Sequence, residues 1–266
     1  MSLTSFTLAN GRTVKLGKKP ARHDPRTLQL AKYIPATAVP PPPSSEDFSR
    51  AVRNWGMMGN NTIGDCTCAC AGHMIEEWTT YANQKTTVPS DDSIVKAYEA
   101  VSGYNPSDPG SDRGAVILDV LNYWKKTGIS GHKIMAFAGL EPNNHLEIQE
   151  SVMLFGNCFI GVQLPLSAQN QEVWAVPPGG ATGQGARGSW GGHAIPIVQY
   201  DPFGLTVVTW GELKRMSWGF LETYCDEGYA VLSEDFINKH TKLTPAQFDL
   251  KTLQADLGQI GKSAVA

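Results

Sequence analysis

The chain has 266 residues, enough for one large domain or two lobes around a sizeable core. A composition of 41% hydrophobic and 18% charged residues excludes a disordered chain or a coiled coil, and a net charge of −3 offers no electrostatic footing for nucleic acid or an anionic membrane surface. No apolar run reaches the roughly 20 residues of a membrane helix, and Met1–Phe6 lacks the basic start and apolar stretch of a secretory signal, so a cytoplasmic protein is expected. Five cysteines are an odd number, and in a reducing compartment all five are expected to be free.

Residues 1–45 read as an arm. Phe6–Val14 carries an Asn10-Gly11 turn between short apolar stretches, the pattern of a hairpin. Pro25–Tyr33 predicts one or two helical turns beginning at the proline, and Pro40–Pro43 a stiff linker. Such an arm is either a strap packed across the lobes, the reading its shortness favours, or an inhibitory segment. From Cys66, residues Cys70, His73, Met74, Glu77 and Trp78 recur at helical spacing. A second helix runs through Ile94, Val95, Tyr98 and Val101, capped by Ser90 or Asp91, and a third spans 116–126.

After Gly128 the signals become strands: Phe159–Leu164, Ala194–Tyr200, Leu205–Trp210 and Tyr229–Leu232. A helical front half (about 60–130) and a β-rich back half (about 131–236) predict an α+β protein of two lobes, with its site in the cleft between them. Residues 237–266 carry Leu250, Leu253 and Leu257 at helical spacing and read as a helical tail packed on the core.

The chemistry centres on Cys66. It follows Gly64 and opens a helix, where unpaired N–H groups and the positive dipole end favour a thiolate. His193, at the start of an apolar strand, can return in space to take the thiol proton. His73 lies on the helix face of Cys66 but roughly 10 Å along its axis, too far to serve as the base, and His132 sits in a turn without strand context. Cys68 and Cys70 make a Cys-x-Cys-x-Cys run with Cys66, but Cys68 points away from the other two and no second Cys pair follows. No metal and no cofactor is therefore expected.

The flanks of this pair resemble the papain-like cysteine peptidases. Asp47-Phe48-Ser49-Arg50 is similar to that family's Asp-Trp-Arg entry, and Asn60–Cys66 to its Gln-Gly-x-x-Gly-x-Cys loop. Gly110–Gly114, followed by Val120–Trp124 and Thr127-Gly128-Ile129, is similar to its Gly-rich substrate strand and the helix beyond. Thr209-Trp210-Gly211 resembles its Ser-Trp-Gly and Gly228–Leu232 its closing Gly-Tyr strand, in the right order over about 46–236. The Cys–His separation is close to the roughly 130–150 residues of that family. The resemblance implies a papain-like two-lobe fold with Cys66 as nucleophile and His193 as general base and acid. It implies oxyanion donors from the Cys66 N–H and from Asn60 or its neighbour Asn61. Arg113, Gly114 and Trp210 would line the substrate.

Three positions depart from that pattern. The orienting Asn of the family aligns with Val208, which cannot accept a hydrogen bond, and the rival register at Ser217-Trp218-Gly219 puts Met216 there. The side chain at 208 is expected to point toward the imidazole or just past it, leaving Thr209 or a backbone carbonyl to orient His193. Arg113 replaces a glycine, and Asp65 places a carboxyl beside the thiol, where a charge opposes thiolate formation. The expected function is hydrolysis of a peptide or small amide substrate. Acyl transfer through the same pair and a catalytically silent binding protein are the alternatives.

Overall fold

In a computed structural model, residues 5–32, 40–83 and 85–237 are described, so the tail predicted at 237–266 lies outside them apart from Ile237. The arm opens with strands β1 (Ser5–Thr7) and β2 (Thr13–Lys15), paired antiparallel with Phe6 opposite Val14. Gly11 takes the left-handed φ of +79° in the connecting turn, and Asn10 accepts from the Arg12 N–H. The helix predicted at Pro25 does not form there. Asp24 accepts a hydrogen bond from the Thr27 N–H to make a turn, and a single 3-10 turn follows at Leu30–Lys32. Leu30 alone of its three residues is buried, too little to hold a longer helix.

Strand β3 (Glu46–Asp47) leads to helices α1 (Cys66–Asn83), α2 (Asp91–Ser102) and α3 (Ile117–Lys126). Of the two caps the sequence allows for α2, Ser90 serves, accepting from the Ser93 N–H. The back half holds β4 (Ile134–Leu140), α4 (His145–Phe155), β5 (Cys158–Leu164), β6 (Val173–Trp174) and β7 (Gly191–Asp201). It continues with β8 (Gly204–Thr209), β9 (Glu212–Met216), α5 (Trp218–Tyr224) and β10 (Cys225–Ser233).

Four of these elements escape a reading by period. The last five residues of α4, Ser151–Phe155, are all buried, so that end shows no polar stripe, although Asn144 caps the helix onto the Leu146 N–H. Strand β4 follows a turn and shows no clean alternation of burial. Strand β9 is mostly polar, and α5 has seven residues, about two turns.

One sheet carries the strand order β4-β10-β5-β7-β8-β9-β6, with β3 on β7, and every pair is antiparallel except β6–β9. Helix α1 packs on β7, and its Trp78 donates to the Phe155 carbonyl at 2.7 Å while stacking on Trp124. The helical half is tied to the loop before Cys66 by Asp112. Its buried carboxylate accepts from the Gly64 N–H (3.1 Å) and the Tyr98 hydroxyl (2.6 Å) and pairs with Lys15 Nζ (2.7 Å). Asp112→Ala leaves an ammonium unpaired at a largely buried place, and should destabilise the protein by about 3–5 kcal/mol. Urea unfolding checks this, with Asp112→Asn expected to lose less because the Gly64 and Tyr98 bonds can survive.

Candidate active site

Cys66 is the first residue of α1 and is 1% exposed. Its sulfur lies at the backbone of Ala194, the residue after His193, and of Gly17 in the arm. Burial pushes the thiol up to about 12, against smaller opposing contributions from those two backbone groups and from Lys18. Burial also drives the Asp65 carboxyl well above its ordinary range, so the charge expected beside the thiol is largely suppressed. Cys68 and Cys70 are buried too, and all five cysteines are free. Among the described residues, no three His, Cys, Asp or Glu side chains gather to hold a metal ion. No helix among them is long and apolar enough to cross a membrane.

His193 sits near the start of β7, 1% exposed. Its Nε2 lies 2.8 Å from Thr209 Oγ1, while its buried Nδ1 has no hydrogen-bond partner among the described residues. The Trp210 ring stacks on the imidazole at 4.5 Å between centroids. Burial lowers the imidazole to about 3, with a smaller contribution from His73. Val208 does not face the imidazole. It packs with Val52, Trp55 and Val198, apart from the main core, because successive side chains of β8 alternate between the faces of the sheet. Thr209, one residue on, therefore presents its hydroxyl to the ring.

His73 Nε2–H donates to the Gly56 carbonyl (2.7 Å) and the ring packs edge-on against Trp55, and His132 pairs with Asp235 (2.8 Å). The Asn60 amide donates to the carbonyls of Lys15 (3.1 Å) and Ile63 (3.2 Å). Arg113 is exposed, and its Nε donates to its own loop's Gly110 carbonyl at 3.4 Å. A charged side chain here is simply better solvated outside. Gly114 does border the groove, beside the arm's Gly17.

The arm fills the groove. Val14–Lys18 are all buried. Ala115 N–H donates to the Gly17 carbonyl (2.9 Å), Lys19 N–H to the Ala115 carbonyl (2.9 Å), and Lys18 N–H to the Gly192 carbonyl (3.1 Å). Lys15 exchanges backbone and side-chain bonds with Asn60, and its carbonyl also accepts from Trp210 Nε1 at 3.2 Å. A β-carbon on Gly17 would fall 1.8 Å from the Gly64 carbonyl oxygen, so only glycine lets the arm pass so close to the Cys66 loop. Ala115, Gly192 and the arm's Gly17 and Lys18 were not singled out from sequence. The one available signal was Gly-Lys-Lys following the alternating Val14–Leu16.

No protein-family model matches the sequence, and no curated protein matches it. Solved structures do. Xylellain, a cysteine protease from Xylella fastidiosa, superposes with a TM-score of 0.62 at 14% identity, covering 84% of this chain and 97% of that one. The fold is papain-like. Digestive procathepsin L 3 of Tenebrio molitor matches with a TM-score of 0.55 at 12% identity over 87% and 83% of the two chains. The bromelain protease from Ananas comosus matches at 0.51 and 15% identity over 72% of this chain and all of that one. Within this fold Cys66 opens α1 and His193 lies near the start of β7, whose Ala194 backbone meets the Cys66 sulfur.

Proposed function

We propose that this chain is a cysteine hydrolase of peptide or amide bonds, held latent by its own arm. The observation that carries the reading is the state of His193. One ring nitrogen is anchored on Thr209, the other is buried with no hydrogen-bond partner among the described residues, and the backbone of the next residue, Ala194, meets the Cys66 sulfur. A satisfied structural histidine would bond through both nitrogens.

With the arm withdrawn, Cys66 attacks the substrate carbonyl as a thiolate and its proton passes to His193 Nδ1. Thr209 Oγ1 accepts from Nε2–H, which fixes the tautomer and steadies the imidazolium. The oxyanion takes hydrogen bonds from the Cys66 N–H and from Asn60 Nδ2, which already donates to a carbonyl of the arm. His193 returns the proton to the leaving amine, and water then takes the acyl group off the sulfur. In the covered state burial opposes this chemistry from both sides, since it raises the thiol and lowers the imidazole. Both groups are then neutral and the nucleophile is silent.

Turnover of fluorogenic peptide amides by the arm-displaced protein tests this. Cys66→Ala should abolish it together with any acyl adduct seen by mass spectrometry. Thr209→Val should lower it at least about tenfold, the worth of one hydrogen bond to a charged group of about 1.5 kcal/mol or more, with Thr209→Ser restoring it. Turnover that survives Cys66→Ala overturns the assignment.

A further inference from the structure

The side chain of Lys18 is completely buried, and nothing in the chemistry above uses it. Its Nζ donates to Asp226 Oδ2 at 2.8 Å and to the Lys19 carbonyl oxygen at 3.2 Å, and lies in an ion pair 2.9 Å from Glu227 Oε1. Each carboxylate is itself held, Asp226 by Gln163 Nε2 at 2.7 Å and Glu227 by the Tyr229 hydroxyl at 2.9 Å. The stem crosses Gly161 on β5, where a β-carbon would lie 2.1 Å from Lys18 Cε and 2.8 Å from Glu227 Cγ. The floor is thus shaped by the missing side chain at 161 and charged at its end.

The backbone of the same residue is gripped on both sides. Ala115 bonds the carbonyl before it and the N–H after it, and Gly192 takes its own N–H. This is recognition by strand addition, in which main-chain bonds hold an extended segment and a pocket reads one side chain. A strap selected only to hold the lobes together would gain more from an apolar side chain, because a buried ammonium loses its hydration. Two carboxylates against one lysine also leave the pocket negative when the arm withdraws.

We propose that Gly161, Asp226 and Glu227 form the selectivity pocket of this site, that it takes a lysine or arginine side chain of the substrate, and that Lys18 is the chain's own occupant of it. The pocket would make this enzyme selective for peptides with a basic residue close to the scissile bond. It rests on the reading of Cys66 and His193 as a hydrolase pair, so the experiment separates the two.

Full-length Gly17→Ala/Lys18→Met protein, in which neither the close approach nor the ion pair holds the arm, is titrated with the peptide of residues 12–20 and with the same peptide carrying Met for Lys18. Tryptophan fluorescence reports binding, since Trp210 donates to the arm's Lys15 carbonyl and lies against Trp190. The lysine peptide should bind at least tenfold more tightly, and Glu227→Gln with Asp226→Asn should erase the difference. Equal binding of the two peptides, or binding of neither, overturns the pocket. Turnover of amide substrates with Lys, Arg, Leu or Glu at each of the three residues before the scissile bond is measured on the same protein. Lysine-selective binding with no turnover at all keeps the pocket and removes the hydrolase, whereas turnover indifferent to a basic residue keeps the hydrolase and removes the pocket. Should the double variant fail to fold, Asp226→Asn/Glu227→Gln in the otherwise native chain serves instead. It should speed Cys66 alkylation at least tenfold, and an unchanged rate counts against the proposal.

Discussion

Gly17→Ala should raise the reactivity of Cys66 toward iodoacetamide at neutral pH by about a thousandfold. The added methyl would lie 1.8 Å from the backbone oxygen of Gly64, and a backbone atom before a helix start cannot step aside. The arm must leave, and with it goes much of the burial that pushes the thiol up to about 12. Each unit of fall toward the ordinary value of 9.0 multiplies the thiolate fraction by ten, and about three units separate the two states. Peptide-level mass spectrometry across a pH series checks this. The native protein should show a Cys66 rate still climbing at pH 10, and the variant a plateau well below that. Cys68 and Cys70, inside the helical half, should stay slow in both. Unfolding would label all five cysteines alike, so it is distinguishable from opening. A native-like profile for folded Gly17→Ala protein would show that the arm does not control the thiol.

Stability should peak in mildly acidic solution, at about pH 4.5–6.5, and fall on either side. On the acid side, burial lowers His193 from 6.5 to about 3 and His73 from 6.5 to about 4. The unfolded chain therefore binds protons that the folded one refuses, and stability drops as the pH falls from 6.5 through those lower values. On the alkaline side the sign reverses. Burial raises Glu76 from 4.5 to about 8, and pushes Asp65 and Glu77 well above their ordinary range. These acids keep their protons in the fold while the unfolded chain gives them up, so stability falls as the pH rises from 4.5 toward 8. Between 4.5 and 6.5 the two slopes oppose each other. For Glu76 alone the loss by pH 8 is on the order of 4 kcal/mol. Urea unfolding at pH 5.5 and pH 8 measures the difference, and Glu76→Gln should remove part of the alkaline loss. A protein more stable at pH 8 than at pH 5.5 would show that these acids ionise inside the fold.

Much of the scaffold was legible because it is local. Apolar residues at three- and four-residue spacing mark α1, α2 and α3, and Ser90 states where α2 begins. The short β-branched runs mark β5, β7, β8 and β10. The same rules are silent on α4, whose buried turns carry no stripe, and on the polar strand β9. Val208 was misread for a related cause. A family motif aligns positions, while the direction of a side chain depends on the pleat of β8.

By itself the sequence determined an α+β chain, a cysteine at a helix start and a histidine on a later strand, since each follows from residue type and short-range period. Only the tertiary structure decided what surrounds them. Thr209 rather than residue 208 meets the imidazole, the arm's Gly17 closes over Cys66, and Lys18 finds Asp226 and Glu227 some two hundred residues away. Those partners meet because β10 lies beside β5, and the arm runs in the groove next to it. Such contacts join segments far apart in the chain, and no local pattern of charge or spacing records them. The burial they create then sets the protonation of the thiol and the imidazole, which residue type alone would place several units away.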